Sequence, residues 1–303
     1  MLSEGDDVLE QVTAKSILSA GYAKNNSWFG CNYNMNLYRG CCHGCIYCDS
    51  RSDCYHIGQF DTVRAKADAL QILARELKAK RRPGVVGMGS MSDPYNPFEK
   101  TYEFTRGALL LIRDNGFGAA VATKSPLVVR DKDLFLEIKK AAPVLIKVTV
   151  TTASDGLCQK IEPHAPLSSE RFAAIKELAS QGIFTGILLM PVLPFLEDTK
   201  ENIGEIIRMS KESGARFIYA QFGVTLRSNQ KDWFYQKLDE QFPGLREQYI
   251  KTYGNAYECI SPHAKELLAF FREECKRAGL LTRMEDIVRA YKEPYESRQL
   301  TLF

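Results

Sequence analysis

The sequence predicts an α/β fold, a partial, TIM-like (β/α)6 barrel with a C-terminal helical extension. From about residue 34 onward, short apolar runs alternate with amphipathic stretches, which is the pattern of repeated βα units around a parallel sheet. Six such units follow one another within about 200 residues, whereas a complete eight-unit barrel takes about 250. The length therefore favours an open, three-quarter barrel.

The predicted strands are short, apolar and rich in β-branched residues, and the helices between them carry apolar residues at three- and four-residue spacing. We expect strands at 33–38, 85–89, 119–123, 145–152, 185–192 and 217–222. We expect helices at 61–82, 101–115, 131–141, 168–182 and 200–213. Pro83-Gly84 and Asn115-Gly116 end the first two helices, and Ser168 or Ser169 begins the fourth.

The pattern changes beyond the barrel. We divide the chain into an N-terminal segment (1–29), the barrel (30–227), a helical extension (228–280) and a tail (281–303). In the extension, residues 229–252 are expected to be helical, and Ser261-Pro262 begins a helix that runs to about Gly279. The end of the tail, 293–303, is expected to be loose.

The composition is that of an ordinary globular protein. The 303 residues are 45% hydrophobic and 25% charged, and the net charge of +3 is too small to indicate nucleic-acid binding by itself. The chain has nine cysteines and no signal peptide, from which we expect a reducing, cytoplasmic location. No apolar run approaches the length of about 18 residues that a transmembrane helix needs, so no membrane partner is expected.

The most informative motif is a Cys-rich run that follows the first predicted strand. Cys41, Cys45 and Cys48 form a C-x3-C-x2-C pattern with Tyr47 just before the last Cys. Gly40 lies beside the first Cys, and glycine permits the tight turns that a loop around a metal or cluster requires. The run therefore predicts a metal or iron–sulfur site.

Three other interpretations of the run stay open. The same three cysteines with Cys54 or His43 could form a tetrahedral zinc site. A ferredoxin-type cluster would begin at Cys42, but its pattern requires a fourth Cys followed by Pro where this chain has Ser52. The third interpretation is a group of reduced structural thiols.

The run from Arg39 to Asp49 resembles the signature of the radical S-adenosylmethionine (SAM) enzymes. The resemblance implies the same partial barrel and two cofactors, a [4Fe-4S] cluster and SAM. It implies that the three thiolates bind three irons, while the amino and carboxylate groups of SAM bind the fourth. The reduced cluster would cleave SAM to methionine and a 5′-deoxyadenosyl radical, which abstracts hydrogen from a substrate. A reductant such as flavodoxin or ferredoxin is the implied partner.

The resemblance also indicates positions that would bind SAM, since functional residues of α/β barrels lie at the C-terminal ends of the strands. Tyr47 occupies the position that packs against adenine in the family. After the second strand, the segment with Ser90, Ser92 and Asp93 matches the region that binds the SAM ammonium. The alternative for Asp93 is an ordinary Asp-Pro turn.

Residues after the third and fourth strands complete the expected site. Lys124 could neutralise the SAM carboxylate, and Thr151 and Thr152 suit the ribose hydroxyls. Glu162 and Arg171 would be ordinary solvated charges if considered separately, but on this frame they become plausible site residues. We expect Arg171 to be a second carboxylate contact or a substrate contact.

Three motifs resemble the spore photoproduct lyase-like branch of the superfamily across about residues 30–225: the Cys-rich run, Ser92-Asp93-Pro94 and Thr123-Lys124-Ser125. The lyase repairs a thymine dimer in DNA, and one of its Cys residues returns a hydrogen atom. That Cys aligns with Ser90 here, whose O–H bond is too strong to replace a thiol. We do not expect the same lyase reaction unless Cys31, Cys54 or another thiol substitutes.

The last five residues form a second informative motif. Gln299, Leu300, Thr301, Leu302 and Phe303 resemble the peptide with which bacterial replication and repair proteins bind the sliding clamp. In such a peptide the apolar side chains enter pockets and the Gln makes polar contacts. The alternative is an apolar terminus packed on its own barrel.

The sequence therefore predicts a radical SAM enzyme, with damaged DNA as the first substrate class and RNA or a peptide as the second. No catalytic residue is assigned, and Tyr95 and Cys54 are the candidates. An alternative of another class is a non-catalytic, metal- or cluster-bearing module that docks on a sliding clamp.

Overall fold

The computed structural model describes residues 9–20 and 28–296. The strands in these ranges are β1 (Gln11–Val12), β2 (Leu18–Ala20), β3 (Tyr33–Met35), β4 (Tyr38–Arg39), β5 (Arg64–Lys66), β6 (Val85–Met88), β7 (Gly118–Thr123), β8 (Val144–Thr149), β9 (Thr185–Leu189), β10 (Ile218–Ala220), β11 (Gly223–Thr225) and β12 (Glu258–Ile260). The helices are α1 (Ala69–Lys78), α2 (Glu99–Tyr102), α3 (Phe104–Asp114), α4 (Lys132–Lys139), α5 (Asp155–Ile161), α6 (Ser168–Ser180), α7 (Lys200–Glu212), α8 (Gln230–Gln241), α9 (Leu245–Tyr253), α10 (Ala264–Ala278) and α11 (Met284–Glu296).

The main sheet confirms the predicted fold class. Six parallel strands lie side by side in chain order, β3-β6-β7-β8-β9-β10, and β2 adds an antiparallel strand at the β3 edge. Because each strand pairs with the next barrel strand along the chain, the sheet is wound in one direction, as in a barrel rather than a doubly wound sheet. Two small sheets, β1-β5-β4 and β11-β12, lie beside it.

The two faces of the sheet form separate apolar layers. Side chains such as Val121, Ile146 and Val148 belong to the main core, which includes the inner faces of the helices. Ala120 and Leu145, which are in register, belong to a second cluster on the other face. All six residues of β8 are buried, as expected for a strand covered on both faces.

The first helix is shorter than predicted. The structure begins α1 at Ala69 instead of about residue 61, and 64–66 form β5. The reason is a change of period: Val63 and Ala65 are buried while Arg64 between them is partly exposed, which is the alternation of a strand. The helical spacing holds only from α1, whose apolar face is buried.

The helical extension splits into two parts. The structure breaks 229–252 into α8 and α9 around Pro243-Gly244, where Gly244 has a φ of 85°. In contrast, α10 packs beside α7, and its Leu267 and Phe271 enter the main core. The helix α10 therefore completes the outer layer of the sixth βα unit.

The expected tail is helical over much of its length. The helix α11 runs to Glu296, which corrects the expectation of a loose segment from residue 293. Its Ile287 and Tyr291 are buried, and the Tyr291 hydroxyl donates a 2.6 Å hydrogen bond to the Phe29 carbonyl. The clamp-like peptide at 299–303 lies outside the described residues.

No helix in the described ranges is both long enough and apolar enough to cross a membrane.

Candidate active site

A cavity opens at the C-terminal ends of β6–β9, the edge at which α/β barrels place functional residues. Its lining combines the Cys-rich loop with the loops that follow β6 and β7. The predicted site residues among the lining are Cys41, Cys45, Cys48, Ser90, Ser92, Asp93 and Lys124. The structure therefore brings the three expected cluster ligands together with four of the residues expected at SAM.

The Cys-rich loop is fixed by its backbone. Gly40 has a φ of 83°, a conformation that favours glycine. The N–H of Cys41 donates to the Phe60 carbonyl at 2.8 Å, and the Ser92 hydroxyl donates to the Gly40 carbonyl at 2.7 Å. The loop is thus tied to the segment before β5 on one side and to the loop after β6 on the other.

Replacing Gly40 by alanine should disrupt this loop. A Cβ at Gly40 would lie 2.2 Å from the Thr62 carbonyl oxygen in addition to the unfavourable φ. We expect Gly40→Ala to lower the free energy of unfolding by about 2–4 kcal/mol and to reduce iron binding after reconstitution. Gly58→Ala is the matched control, because a Cβ there meets nothing within 4 Å. Denaturant unfolding measures the stability of the two variants, and iron analysis measures their cluster content. Equal stability and iron content in the two variants would contradict the structural role of Gly40 in the Cys-rich loop.

Helices α8 and α9 cover the outer side of the Cys-rich loop. Cys45, Ile46 and Tyr47 share one apolar cluster with residues of these helices, among them Phe234 and Tyr249. The extension also makes polar contacts with the loop, since the Gln230 amide donates to the Tyr47 carbonyl at 3.1 Å. The extension therefore limits the access of water to the thiols from this side.

The three thiols are in an environment that resists ionisation in the absence of a metal. Burial raises the pKa of Cys41 to about 12. Burial also raises the pKa of Cys45 and Cys48, and the charge of Lys124 partly opposes the rise. Thiols with such pKa values stay protonated at neutral pH unless a metal or cluster replaces the proton.

Within the residues that the structure describes, no three His, Cys, Asp or Glu side chains converge around one point as the ligands of a single metal ion do. Thiolates that hold a four-iron cluster bind separate irons and need not converge on one point. The zinc alternative gains no support from this arrangement.

Asp93 connects three loops at the edge of the cavity. Its Oδ1 accepts hydrogen bonds from the Thr123 hydroxyl at 2.6 Å and the Tyr95 N–H at 2.8 Å. Its Oδ2 accepts from the Lys124 N–H at 2.8 Å and lies 3.7 Å from Nδ1 of His43. A carboxylate has about four acceptor positions, so these three donors leave about one for a ligand. Asp93 therefore holds the backbone of Lys124 in place as well as facing the cavity.

Lys124 belongs to a buried charge network that the sequence indicates only in part. Its Nζ lies 3.8 Å from Oε1 of Glu162 and 5.6 Å from the centroid of the Tyr47 ring. The Tyr47 hydroxyl donates to the same Glu162 oxygen. Burial by itself would raise the pKa of Glu162, but the charges of Arg171 and Lys124 lower it to about 2. The carboxylate is thus ionised and keeps Lys124 charged beside the thiols.

Arg171 does not reach the cavity, which corrects the expectation that it contacts SAM or substrate. The side chain is only 1% exposed, and its guanidinium donates to the Thr149 and Pro166 carbonyls, both at 2.9 Å, and to Glu162. These bonds occupy the three nitrogens of the group. Arg171 is a positioning residue that fixes Glu162.

The residues expected at the ribose also differ. The structure buries Thr151 and Thr152 and lines the cavity with Thr149, two residues before Thr151 on the chain. The Thr152 hydroxyl oxygen accepts a 3.1 Å bond from the Ser154 N–H and so shapes the turn before α5. Sequence analysis missed Thr149 because it lay within a predicted strand, although it ends β8 in the structure. Tyr47 is likewise buried and not among the lining residues.

Neither catalytic candidate lies at the cavity. Tyr95 is 1% exposed, and its hydroxyl donates to Asp131 at 3.0 Å behind the loop that follows β6. Cys54 is exposed on a short 3-10 turn at Asp53–Tyr55 and does not line the cavity. Neither side chain lines this cavity, so the structure gives no support to either candidate and no catalytic residue is assigned.

Glu197, after β9, is a buried acid that sequence analysis missed. Burial raises its pKa to about 8, and the charges of Glu162 and Asp198 add to the rise. The neighbouring Thr151 hydroxyl lowers the pKa and so partly opposes this rise. Even so, the Thr151 hydroxyl oxygen and Oε1 of Glu197 have no hydrogen-bond partner of ordinary geometry among the described residues. Oε2 accepts a 2.8 Å bond from the Leu193 N–H, which fixes the loop.

This acid predicts a pH dependence of stability. The folded state keeps the Glu197 proton at pH values at which the unfolded chain, with the ordinary pKa of 4.5, has released it. The stabilisation is therefore complete below pH 4.5 and is lost as the pH rises to about 8. Glu197→Gln should remove this fall, which amounts to a few kcal/mol at most. Denaturant unfolding at about pH 5 and about pH 9 measures the free energy of unfolding of wild type and variant. A difference between the two proteins that is the same at both pH values would contradict the prediction.

These observations define a class of protein. The family model of the Radical SAM superfamily matches residues 35–209, more than half of the chain. The chain belongs to this superfamily and is a radical SAM enzyme, and the cofactors of the family are a [4Fe-4S] cluster and SAM. The alternative of a non-catalytic module is thereby set aside.

Individual relatives come from archaea and bacteria. An uncharacterized protein of Methanocaldococcus jannaschii is 32% identical over 216 residues, which is 71% of this chain and 78% of the relative. An uncharacterized protein of Mycobacterium tuberculosis is 29% identical over 246 residues, covering 78% of this chain and 71% of the relative.

Among solved structures, the chain shares its fold with spore photoproduct lyase. A complex of that lyase with dinucleoside spore photoproduct superimposes with a TM-score of 0.62 at 17% identity, over 82% of this chain and 75% of the lyase. A lyase mutant with bound AdoMet and the same dinucleoside gives a TM-score of 0.60 at 18% identity. The chain therefore has the fold of the expected branch.

Proposed function

We propose that this radical SAM enzyme holds its cluster on Cys41, Cys45 and Cys48 and abstracts hydrogen from nucleic acid, with damaged DNA as the first substrate class. The observation that carries the proposal is the placement of the three thiols and Lys124 around one cavity. Thiolates are the usual ligands of iron–sulfur clusters, and three of them leave one of four irons open. A charged lysine beside that position suits the carboxylate of SAM.

The cluster and SAM, when bound, supply the radical that takes hydrogen from the substrate, and the protein supplies binding, orientation and exclusion of water. Lys124 would neutralise the SAM carboxylate, while Ser90, Ser92 and the remaining acceptor position of Asp93 would receive the amino group. Thr149 lines the cavity, so we assign the ribose contact to Thr149 instead of Thr151 and Thr152.

The substrate class rests on the fold shared with a lyase whose solved complexes contain a dinucleoside photoproduct. The reaction itself should differ. Ser90 lines the cavity where the resemblance would place the hydrogen-donating thiol, and neither Cys54 nor Cys31 is among the lining residues. We therefore expect hydrogen abstraction from DNA without reversal of the spore photoproduct.

Isotope transfer tests the substrate class. The reconstituted enzyme is incubated with reductant, SAM and a UV-irradiated oligonucleotide made from perdeuterated thymidine, and 5′-deoxyadenosine is analysed by mass spectrometry. Deuterium should appear in 5′-deoxyadenosine. Matched incubations with deuterated RNA and a deuterated peptide represent the second substrate class. Transfer from RNA or peptide with none from DNA would contradict the DNA assignment.

The C-terminal peptide gives a second, sequence-based part of the proposal. We expect residues 299–303 to bind a sliding clamp and so bring the enzyme to DNA. A pull-down with purified clamp should retain the full chain and lose both the chain truncated after residue 298 and Phe303→Ala. Binding that survives the truncation, or no binding by the full chain, would contradict it. Flavodoxin or ferredoxin is the proposed electron donor.

A further inference from the structure

We propose that Lys147, buried in the floor of the barrel, anchors an oxyanion of the substrate, a phosphate or a carboxylate. The inference rests on the proposed function and names a substrate contact for the same cavity. The cluster and SAM contacts proposed above belong to the Cys-rich loop and to residues at the strand ends. Lys147 has no role in any of them.

Lys147 lies on the inner face of β8, directly below the cavity. It is in register with Ala122 on β7, which lines the cavity, and Thr149 on the same face of β8 also lines it. Leu145, two residues earlier on that face, belongs to the apolar cluster inside the barrel. Lys147 is not itself a lining residue; it lies beside Ala122 and below Thr149, between the cavity and the apolar interior.

No acidic side chain in the described part of the chain pairs with this cation. The Lys147 side chain is 2% exposed, and within the described residues it forms neither an ion pair nor a hydrogen bond. Its Nζ lies 4.7 Å from the centroid of the Phe29 ring. The Cys31 thiol is also near, but burial raises its pKa, so it is neutral and supplies no counter-charge.

A buried, unpaired ammonium destabilises a fold by several kcal/mol, and burial accordingly lowers the pKa of Lys147. The neighbouring inward-facing residues are apolar, among them Leu145 and Phe217. An apolar side chain would therefore suit this position better if only stability mattered. A cation kept here, next to a cavity, is explained by an anion that arrives from outside the protein.

The Phe29 ring beside Lys147 contacts two further aromatic rings, those of Trp28 and Tyr219. Tyr219 on β10 is in register with Leu188, which lines the cavity, so the Tyr219 ring lies on the same inner face. Trp28 packs edge-on against Tyr219 with ring centroids 5.2 Å apart, and it is 43% exposed. Flat aromatic groups of this kind bind bases by stacking. An oxyanion and a base together fit a nucleotide.

The test is a binding titration of the reconstituted enzyme with SAM and without reductant. A Trp233→Phe background leaves Trp28 as the reporter, since the chain has two tryptophans. Thymidine 5′-monophosphate should change Trp28 emission saturably, and uncharged thymidine should bind at least about tenfold more weakly. Lys147→Met should lower the affinity for the nucleotide to that for thymidine, and Lys147→Arg should restore most of it. Competition by inorganic phosphate or by acetate identifies which oxyanion is preferred.

Equal affinity of wild type and Lys147→Met for the nucleotide would overturn the proposal, as would equal binding of nucleotide and thymidine or no saturable response. The titration needs no electron transfer, so an enzyme that fails to cleave SAM still gives a clear answer. Lys147→Met should unfold at or above the temperature of the wild type, because it removes a buried charge. Lys147→Gln is the second variant if the Met variant does not fold.

Discussion

Replacing Cys45 by alanine is expected to abolish both cluster binding and SAM cleavage. Cys45 is buried, lines the cavity and lies near the Lys124 ammonium. Its loss leaves two thiolates for a cluster that needs three. After anaerobic reconstitution the variant should hold little iron, and its 5′-deoxyadenosine formation should fall by more than about 100-fold, beyond the 10–100-fold typical of outer-shell changes.

Cys42→Ala is the matched control for the ligand assignment. Cys42 is adjacent to Cys41 and also half-buried, but it lines a different cavity on the outer side of the loop. It should keep its iron and its activity, whereas Cys41→Ala should behave as Cys45→Ala does. Retention of the cluster in Cys41→Ala together with its loss in Cys42→Ala would instead support the ferredoxin-like spacing.

Replacing Arg171 by leucine should be the most destabilising single change in the charge network. The guanidinium is buried against Glu162, whose carboxylate is 1% exposed. Without Arg171 the ionised carboxylate keeps one counter-charge among the described residues, Lys124 at 3.8 Å. Removing one partner of a buried ion pair typically costs about 3–5 kcal/mol. We expect a loss of that size in denaturant unfolding of Arg171→Leu.

The double variant Glu162→Gln, Arg171→Met should recover much of that loss, because it removes the uncompensated charge. On the surface, Arg208→Leu breaks the exposed contacts of Arg208 with Glu205 and Glu212 on α7 and should leave stability nearly unchanged. A loss in Arg171→Leu no larger than that in Arg208→Leu would show that the buried pair does not hold the site together.

The parallel strands were predictable because burial on both faces leaves continuous apolar runs in the sequence. Val144–Thr149 illustrates both the success and its limit. The strand was expected to reach residue 152, and Val150, Thr151 and Thr152 are indeed buried, but they lie beyond the end of β8. The apolar pattern of a sequence predicts which residues are buried. The end of a strand depends instead on where its neighbouring strand stops forming hydrogen bonds with it, which the pattern does not show.

The errors outside the barrel have a common cause. The helix α11 buries Ile287 and Tyr291 against residues near Phe29, more than 250 positions earlier in the chain. The sequence of α11 is polar and charged, and by itself it is typical of an unstructured chain end. Its helical structure depends on packing against the residues near Phe29. Likewise β5 becomes a strand by pairing with β1 and β4. Contacts between distant segments decide these elements, and local pattern does not report them.

The candidate site divides in the same way. The three cysteines could be predicted as one group because their spacing lies within one short loop. Lys124 and Asp93 were predicted from their places after neighbouring strands, and both line the cavity because strand ends converge in this fold. By contrast, Arg171 was predicted to contact the cofactor, whereas the structure buries its guanidinium against Glu162. Glu197 and Lys147 were not predicted, because only their burial in the fold distinguishes them from ordinary charged residues.

The most direct test of the central claim is SAM cleavage by the reconstituted protein. The chain is loaded anaerobically with iron and sulfide, reduced with dithionite and given SAM, and 5′-deoxyadenosine is quantified by mass spectrometry beside the iron content. We expect four irons per chain and formation of 5′-deoxyadenosine that depends on Cys41, Cys45 and Cys48. A colourless protein that holds zinc, or a four-iron protein that leaves SAM intact, would contradict it.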